Sequence, residues 1–149
     1  TYSVAPNDWQ TLIFRLVLSL VCGAMIGLER QLRHKPAGLR THMLVSFGSA
    51  LFVLIPIELG AAGQGFDAIS RVIQGVAAGI GFLGAGEIMR DSQQNARSIE
   101  VRGLTSAAAI WVSSALGIAA GCGLWQLGLV GAFLSLLVLN LFKRFEHRR

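Results

Sequence analysis

Charge is what this sequence has least of. Only 14% of its 149 residues are charged, 53% are hydrophobic, and the mean hydropathy is +0.59. A water-soluble domain is usually about one quarter charged, and a chain this poor in charge could not cover its surface in water. Cysteine is scarce too. Cys22 lies in an apolar run and Cys122 between glycines a hundred residues later, so no disulfide framework is expected and both read as small buried hydrophobes. The opening TYSVAPNDWQ has no basic stretch, so no cleavable signal peptide is expected in it. The three histidines, His34, His42 and His147, have no cysteine or carboxylate at zinc spacing, and no Ser–His–Asp set is evident. Enzymatic activity is therefore not expected.

Long apolar runs are what is present. Five can be marked, at about residues 9–28, 41–59, 69–89, 104–120 and 124–142. Each is roughly 17–21 residues, enough at about 1.5 Å per residue to cross a hydrocarbon core of about 30 Å. Backbone polar groups in lipid must be satisfied within the segment, so the runs predict helices. The expected fold is all-α: one domain over residues 1–149, a polytopic membrane bundle of about five transmembrane helices.

The net charge of +5 and pI of about 10.2 would suit nucleic acid only if the charges shared one exposed face. Instead they fall in short clusters between the runs. Arg30, Arg33, Lys35 and Arg40 follow the first run, Arg90, Arg97 and Arg102 follow the third, and Lys143, Arg144, Arg148 and Arg149 close the chain. Of the 13 basic residues, only Arg15 and Arg71 lie elsewhere. Loop charge therefore predicts the N-terminus outside and the C-terminus in the cytoplasm, with Trp9 and Trp125 at the outer interface. The expected surroundings are membrane lipid, without nucleic acid.

Glycine is abundant and patterned. GxxxG occurs at Gly23/Gly27, Gly75/Gly79 and Gly117/Gly121, spacing that lets helix backbones approach closely in lipid. Packing within one bundle is the first reading of these pairs, with a face for a homo-oligomer as the second. The stretch GIGFLGAGE, from Gly79 to Glu87, also satisfies G-x-G-x-x-G. That fingerprint has meaning only between a strand and a helix. Here it lies inside an apolar run, so no nucleotide is expected and Gly79, Gly81, Gly84 and Gly86 read as a smooth helix face, with room for a local break.

Charges at membrane depth mark candidate functional positions, because an unpaired one costs several kcal/mol. An outer layer holds Arg15, Glu58, Asp67 and Arg71, the last two spaced to pair along one helix. An inner layer holds Glu29 and Glu87 near helix C-termini and Arg40 and Arg102 at N-termini, the unfavourable sense for the helix dipole. Partners on neighbouring helices are therefore expected for the two glutamates, with Arg40 and Arg102 the evident ones and a bound cation the alternative. For Mg2+, Glu29 and Glu87 are the candidate ligands, with Thr41, Asn95, Thr105 and Ser106 as further oxygens. The nearby arginines argue against such a site, and no resident cofactor is expected.

Taken together, these residues resemble the MgtC/SapB family of bacterial inner-membrane proteins. The resemblance rests on Gly23-Ala-Met-Ile-Gly27-Leu-Glu29-Arg30-Gln31 and on Ala37-Gly38-Leu39-Arg40-Thr41-His42. It extends through Gly48-Ser49-Ala50-Leu51-Phe52, Arg71, the Gly79–Gly86 stretch, Val101-Arg102-Gly103-Leu104-Thr105-Ser106-Ala107-Ala108, Trp111, Gly117 and Gly121. It covers about residues 12–142 and the family's hydrophobic N-terminal domain, and so resembles a short form. Three positions depart from it: Glu87 where an apolar or amide residue is expected, Gly75 in place of glutamine, and Thr105-Ser106 for a threonine pair. The resemblance implies a part in growth or survival at low magnesium and, in pathogens, in virulence. By motif it singles out Glu29, Arg30, Arg40, Thr41, Arg71, Arg102 and Thr105. Two functional readings follow: a regulator that contacts another membrane complex, and a divalent-cation transporter or channel.

Overall fold

A computed structural model describes residues 8–60, 66–93 and 101–146. All its regular elements are helices: α1 (Trp9–Leu32), α2 (Leu39–Glu58), α3 (Phe66–Gln93), α4 (Leu104–Gly121), α5 (Trp125–Leu141) and the short α6 (Lys143–Glu146). Four of them, α1 to α4, are long and apolar enough to cross a membrane. The fifth, α5, has 17 apolar residues, about 25 Å at about 1.5 Å each. Asn95, Arg97, His147, Arg148 and Arg149 lie outside the described residues.

The helices begin and end where local chemistry dictates. Asp8 caps α1, its carboxylate accepting from the Thr11 backbone N–H at 3.2 Å and from the Thr11 hydroxyl. The hydroxyl bond is the largest of the effects that hold the Asp8 carboxyl below its ordinary range. At the other end of α1 the chain turns through His34, at φ 54°, with His34 N–H donating to Gln31 O and Lys35 N–H to Arg30 O. This paired reverse bonding closes the last carbonyls, and Pro36 prevents resumption. Gly123 (φ 78°) ends α4 in the same way, with bonds to Ala120 O and Ala119 O. Gly38 at the start of α2 has no side chain to offer, so Gln31 Oε1 of α1 accepts from the Leu39 N–H at 3.0 Å. Pro56 lies in the last turn of α2, where it withholds a helical bond from the Phe52 carbonyl, and the helix ends two residues on.

The centre of the bundle is α2, held between α1 and α4. Gly23 lies against α2: a methyl there would sit 2.6 Å from His42 O and 2.9 Å from Met43 Cα. Gly27 lies likewise against Leu39. On the opposite side, a methyl at Gly117 would overlap the Ser46 carbonyl, and one at Gly121 would come within 2.9 Å of Ala50 O. Two of the three GxxxG pairs therefore press backbone on backbone. Serines fill the resulting seams. Ser46 Oγ donates to Ser19 O at 2.6 Å, and Ser49 Oγ meets Ser114 Oγ at 2.9 Å. Around these seams Leu18, Cys22, Ile26, Leu116, Ala120 and Ala132 form the buried apolar core, with α5 laid against α1 and α4. Cys22 and Cys122 are buried free thiols.

The third helix is different. It packs mainly on α4, and only 6% of its apolar window is buried, against 39–56% for the other three long helices. It runs unbroken through GIGFLGAGE, and no strand precedes it among the described residues. Gly84 touches Ala107, a methyl there lying 3.4 Å from its Cβ. Methyls at Gly75, Gly79, Gly81 and Gly86 would meet nothing within 4 Å, so these four do not serve the packing expected of them inside this chain.

The two classes of glycine should answer differently to the same substitution. Gly117→Ala forces α2 and α4 apart and should cost about 1–3 kcal/mol or more, as over-packing does. Gly79→Ala enters open space and should gain up to about 1 kcal/mol from helix propensity. Unfolding of the two variants in detergent micelles, read by circular dichroism, checks the contrast.

Candidate functional site

The last two turns of α1 carry Glu29, Arg30 and Arg33 to the basic end of the bundle. Arg30 is only 4% exposed and Glu29 9%. Arg30 shares the face of Gly23 and Gly27, three and seven residues before it, so the close approach of α1 buries it. Its Nη2 donates to Ser106 Oγ, in the first turn of α4, at 2.6 Å. Glu29 pairs with Arg33, one turn on, at 2.5 Å between Oε1 and Nε. Its second oxygen lies 4.0 Å from Arg30 Nη1, a distance expected of sequence neighbours that point to different faces. Arg33 also donates from Nη2 to Asn140 Oδ1 at 2.6 Å, tying the end of α1 to the end of α5. Glu87 of α3 and Glu29 are the acids whose charge acts on Arg30.

The described partner of Glu29 is thus not Arg40. Arg40 is exposed and pairs with no acid among the described residues, and Glu29 is instead answered by Arg33 and Arg30. The reason is positional: Arg40 is the second residue of α2 and faces outward, whereas Arg33 continues the helix that carries Glu29. Arg102 is exposed, and its backbone N–H donates to Ser92 Oγ at 3.2 Å. Thr41 and Thr105 are exposed, and Ser106 supplies the buried hydroxyl.

His42 was not singled out for chemistry, yet its side chain is fully buried. Its Nδ1 lies 2.8 Å from Gly38 O, one turn back. With Nδ1 donating to that carbonyl, the lone pair is on Nε2, which has no partner. Both oxygens of Glu29, Oε1 of Glu87 and Nε of Arg30 also lie buried without an aligned hydrogen bond. The basic end therefore ties α1 to α4 through the buried Arg30 and to α5 through Arg33, and holds several polar atoms without partners. Among the described residues no group of three or more His, Cys, Asp or Glu side chains is placed to hold a metal ion.

At the far end, Arg15 is 5% exposed and its Nη1 donates to Gly121 O, the last residue of α4, at 3.1 Å. A cation at a helix C-terminus is favourably placed for the dipole. Gly123 permits the approach, since a methyl there would lie 2.9 Å from Arg15 Nη2. The other outer charges remain at the surface: Glu58, Asp67 and Arg71 are exposed, and Asp67 and Arg71 form no ion pair within 4.0 Å.

The MgtC family model matches residues 16–148. Protein SrpB of Synechococcus elongatus is 52% identical over 144 residues, covering 94% of this chain and 79% of its own. YhiD of Escherichia coli, named as a candidate magnesium transporter, is 41% identical over 140 residues, with 91% and 62% covered. Protein MgtC of Salmonella typhimurium is 38% identical over 124 residues, with 83% and 49% covered. The chain thus spans about half to four fifths of these relatives. No solved structure matches it.

Breaking a buried pair by removing one partner typically costs about 3–5 kcal/mol, and Arg30→Met should fall in that range. Arg40→Ala, at an exposed and unpaired position, should stay within about 0.5 kcal/mol. Equilibrium unfolding of both variants in the same detergent measures the difference.

Proposed function

The chain belongs to the MgtC family, and we propose that it is a bacterial inner-membrane protein of magnesium homeostasis that acts as a regulator, through contact with another membrane complex. Its basic end faces the cytoplasm in this reading, as the loop arginines favour. The observation that carries it is the state of Glu29. This is the most deeply buried acid described, and two arginines of its own helix answer its charge. A carboxylate neutralised in this way is a poor ligand for a passing cation.

The contact surface in this proposal is the outward side of α3. Ala78, Phe82, Ala85 and Met89 fall on one helix face, Phe82 is 82% exposed and Met89 62%. Small residues between large ones suit close packing of a further helix in lipid. Affinity purification from native membranes should recover a defined partner, and paired Ala78→Leu and Ala85→Leu substitutions should remove it. A protein that complements a null strain at low magnesium yet is recovered without a partner would sink this reading.

The unaligned oxygens of Glu29 and Glu87 favour a second reading, a divalent-cation path through the basic end. It requires magnesium flux into proteoliposomes, lowered by Glu29→Gln. Folded protein that gives no flux under an imposed membrane potential rejects it.

A further inference from the structure

A groove of about 610 Å³ lies between α2 and α3, and Phe82 is not in its lining. Its walls are apolar, from Leu44 to Phe52 on α2 and from Val72 to Leu83 on α3. Glycine gives it its width: methyls at Gly48, Gly75 and Gly79 would each meet nothing within 4 Å. Ser49 is the one hydroxyl in its lining, and Ser49 Oγ is already engaged by Val45 O and Ser114 Oγ. The groove offers an occupant hydrocarbon and no hydrogen bond.

We propose that this groove holds one acyl chain of an anionic phospholipid, whose phosphate is drawn to Arg40 and Arg90 at the mouth. Depth is the first argument. From Leu44 to Phe52 is about 12 Å of helix, and from Val72 to Leu83 about 16 Å, close to half of a hydrocarbon core of about 30 Å. The groove is one leaflet deep, which suits a single acyl chain better than a helix crossing the whole bilayer.

Charge at the mouth is the second. Arg40 lies one turn before Leu44 on α2, and Arg90 two turns after Leu83 on α3, so each continues a groove wall toward the interface. Both are exposed, and neither has an ion pair among the described residues. Neither acid nearest the mouth pairs with them: Glu87 is half-buried on α3, and Asp91 packs against Gly103, where a methyl would lie 3.2 Å from its Cβ. Two unanswered guanidiniums over an apolar slot match a lipid with an anionic head, because arginine binds phosphate through two parallel bonds.

Native mass spectrometry of the whole chain, released from bilayers of equal phosphatidylglycerol and phosphatidylethanolamine, tests the assignment. Retained phosphatidylglycerol should exceed phosphatidylethanolamine by roughly tenfold, about 1.4 kcal/mol. The double variant Gly48→Leu, Gly79→Leu enters the slot at two positions where an added methyl meets nothing, and should lose the bound lipid with its helical content and melting temperature intact. Arg40→Gln with Arg90→Gln should instead keep a bound lipid and lose the preference between the two heads. Phosphatidylglycerol retained equally by the filled variant overturns the proposal, as does the absence of any preference in the unaltered chain. A Gly79→Cys variant that forms a disulfide-linked dimer in the bilayer overturns it too, since the slot then belongs to a second copy.

Discussion

The closeness of α2 to its two neighbours governs the rest of this bundle. Hydrocarbon gives helices no reason to shed apolar surface into one another, so they associate through van der Waals contact and interhelical hydrogen bonds. Gly23, Gly27, Gly117 and Gly121 supply the contact by offering no side chain of their own at two crossings. The serine bonds between α1 and α2 and between α2 and α4 exist only because the backbones are that near. The same approach buries Arg30 and His42 beside the crossing and so creates the polar cluster. Specific chemistry at the basic end is a by-product of tight packing at the centre.

Within that cluster the distribution of charge is economical. One guanidinium reaches Ser106 on α4, a neighbouring one holds Glu29, and that second arginine also reaches Asn140 on α5. Arginine suits both tasks because its fork bonds in several directions and it keeps its charge when buried. What the cluster lacks is aligned pairing, since the donor Arg30 Nε also stands without a partner. Glu29 and Glu87 retain acceptor oxygens without aligned partners, as does the imidazole of His42. A set of this kind is polar enough to attract water or a cation and already too neutral to need one.

The helices, their order and two of the three packing pairs were legible from apolar run length and glycine spacing alone. Packing direction was not. Gly75/Gly79 has the same letters as Gly117/Gly121, yet one pair faces a groove and the other a carbonyl. Spacing fixes which residues share a helix face, and only the tertiary arrangement decides what that face meets. The partner of Glu29 was missed for a related reason. Arg40 was chosen for depth, whereas the pair that forms at Glu29, with Arg33, follows from four-residue spacing along the chain. That signal was present in the sequence. For His42 none was: a histidine in the first turn of a helix beside a basic loop gives no sign of complete burial.

The bond from Arg15 to Gly121 also imposes an order on biogenesis. Arg15 and its acceptor are 106 residues apart, which at about 5–20 residues per second separates their synthesis by roughly 5–20 s. Throughout that interval α1 carries a guanidinium whose eventual partner has not been made, and an unpaired arginine within an apolar span is costly. Arg15 is thus satisfied only once α4 has followed it. The stable seat of the first helix in the membrane is completed by the fourth, and truncation before residue 121 leaves α1 with a charge that draws it back to the interface or into the hands of the insertion machinery.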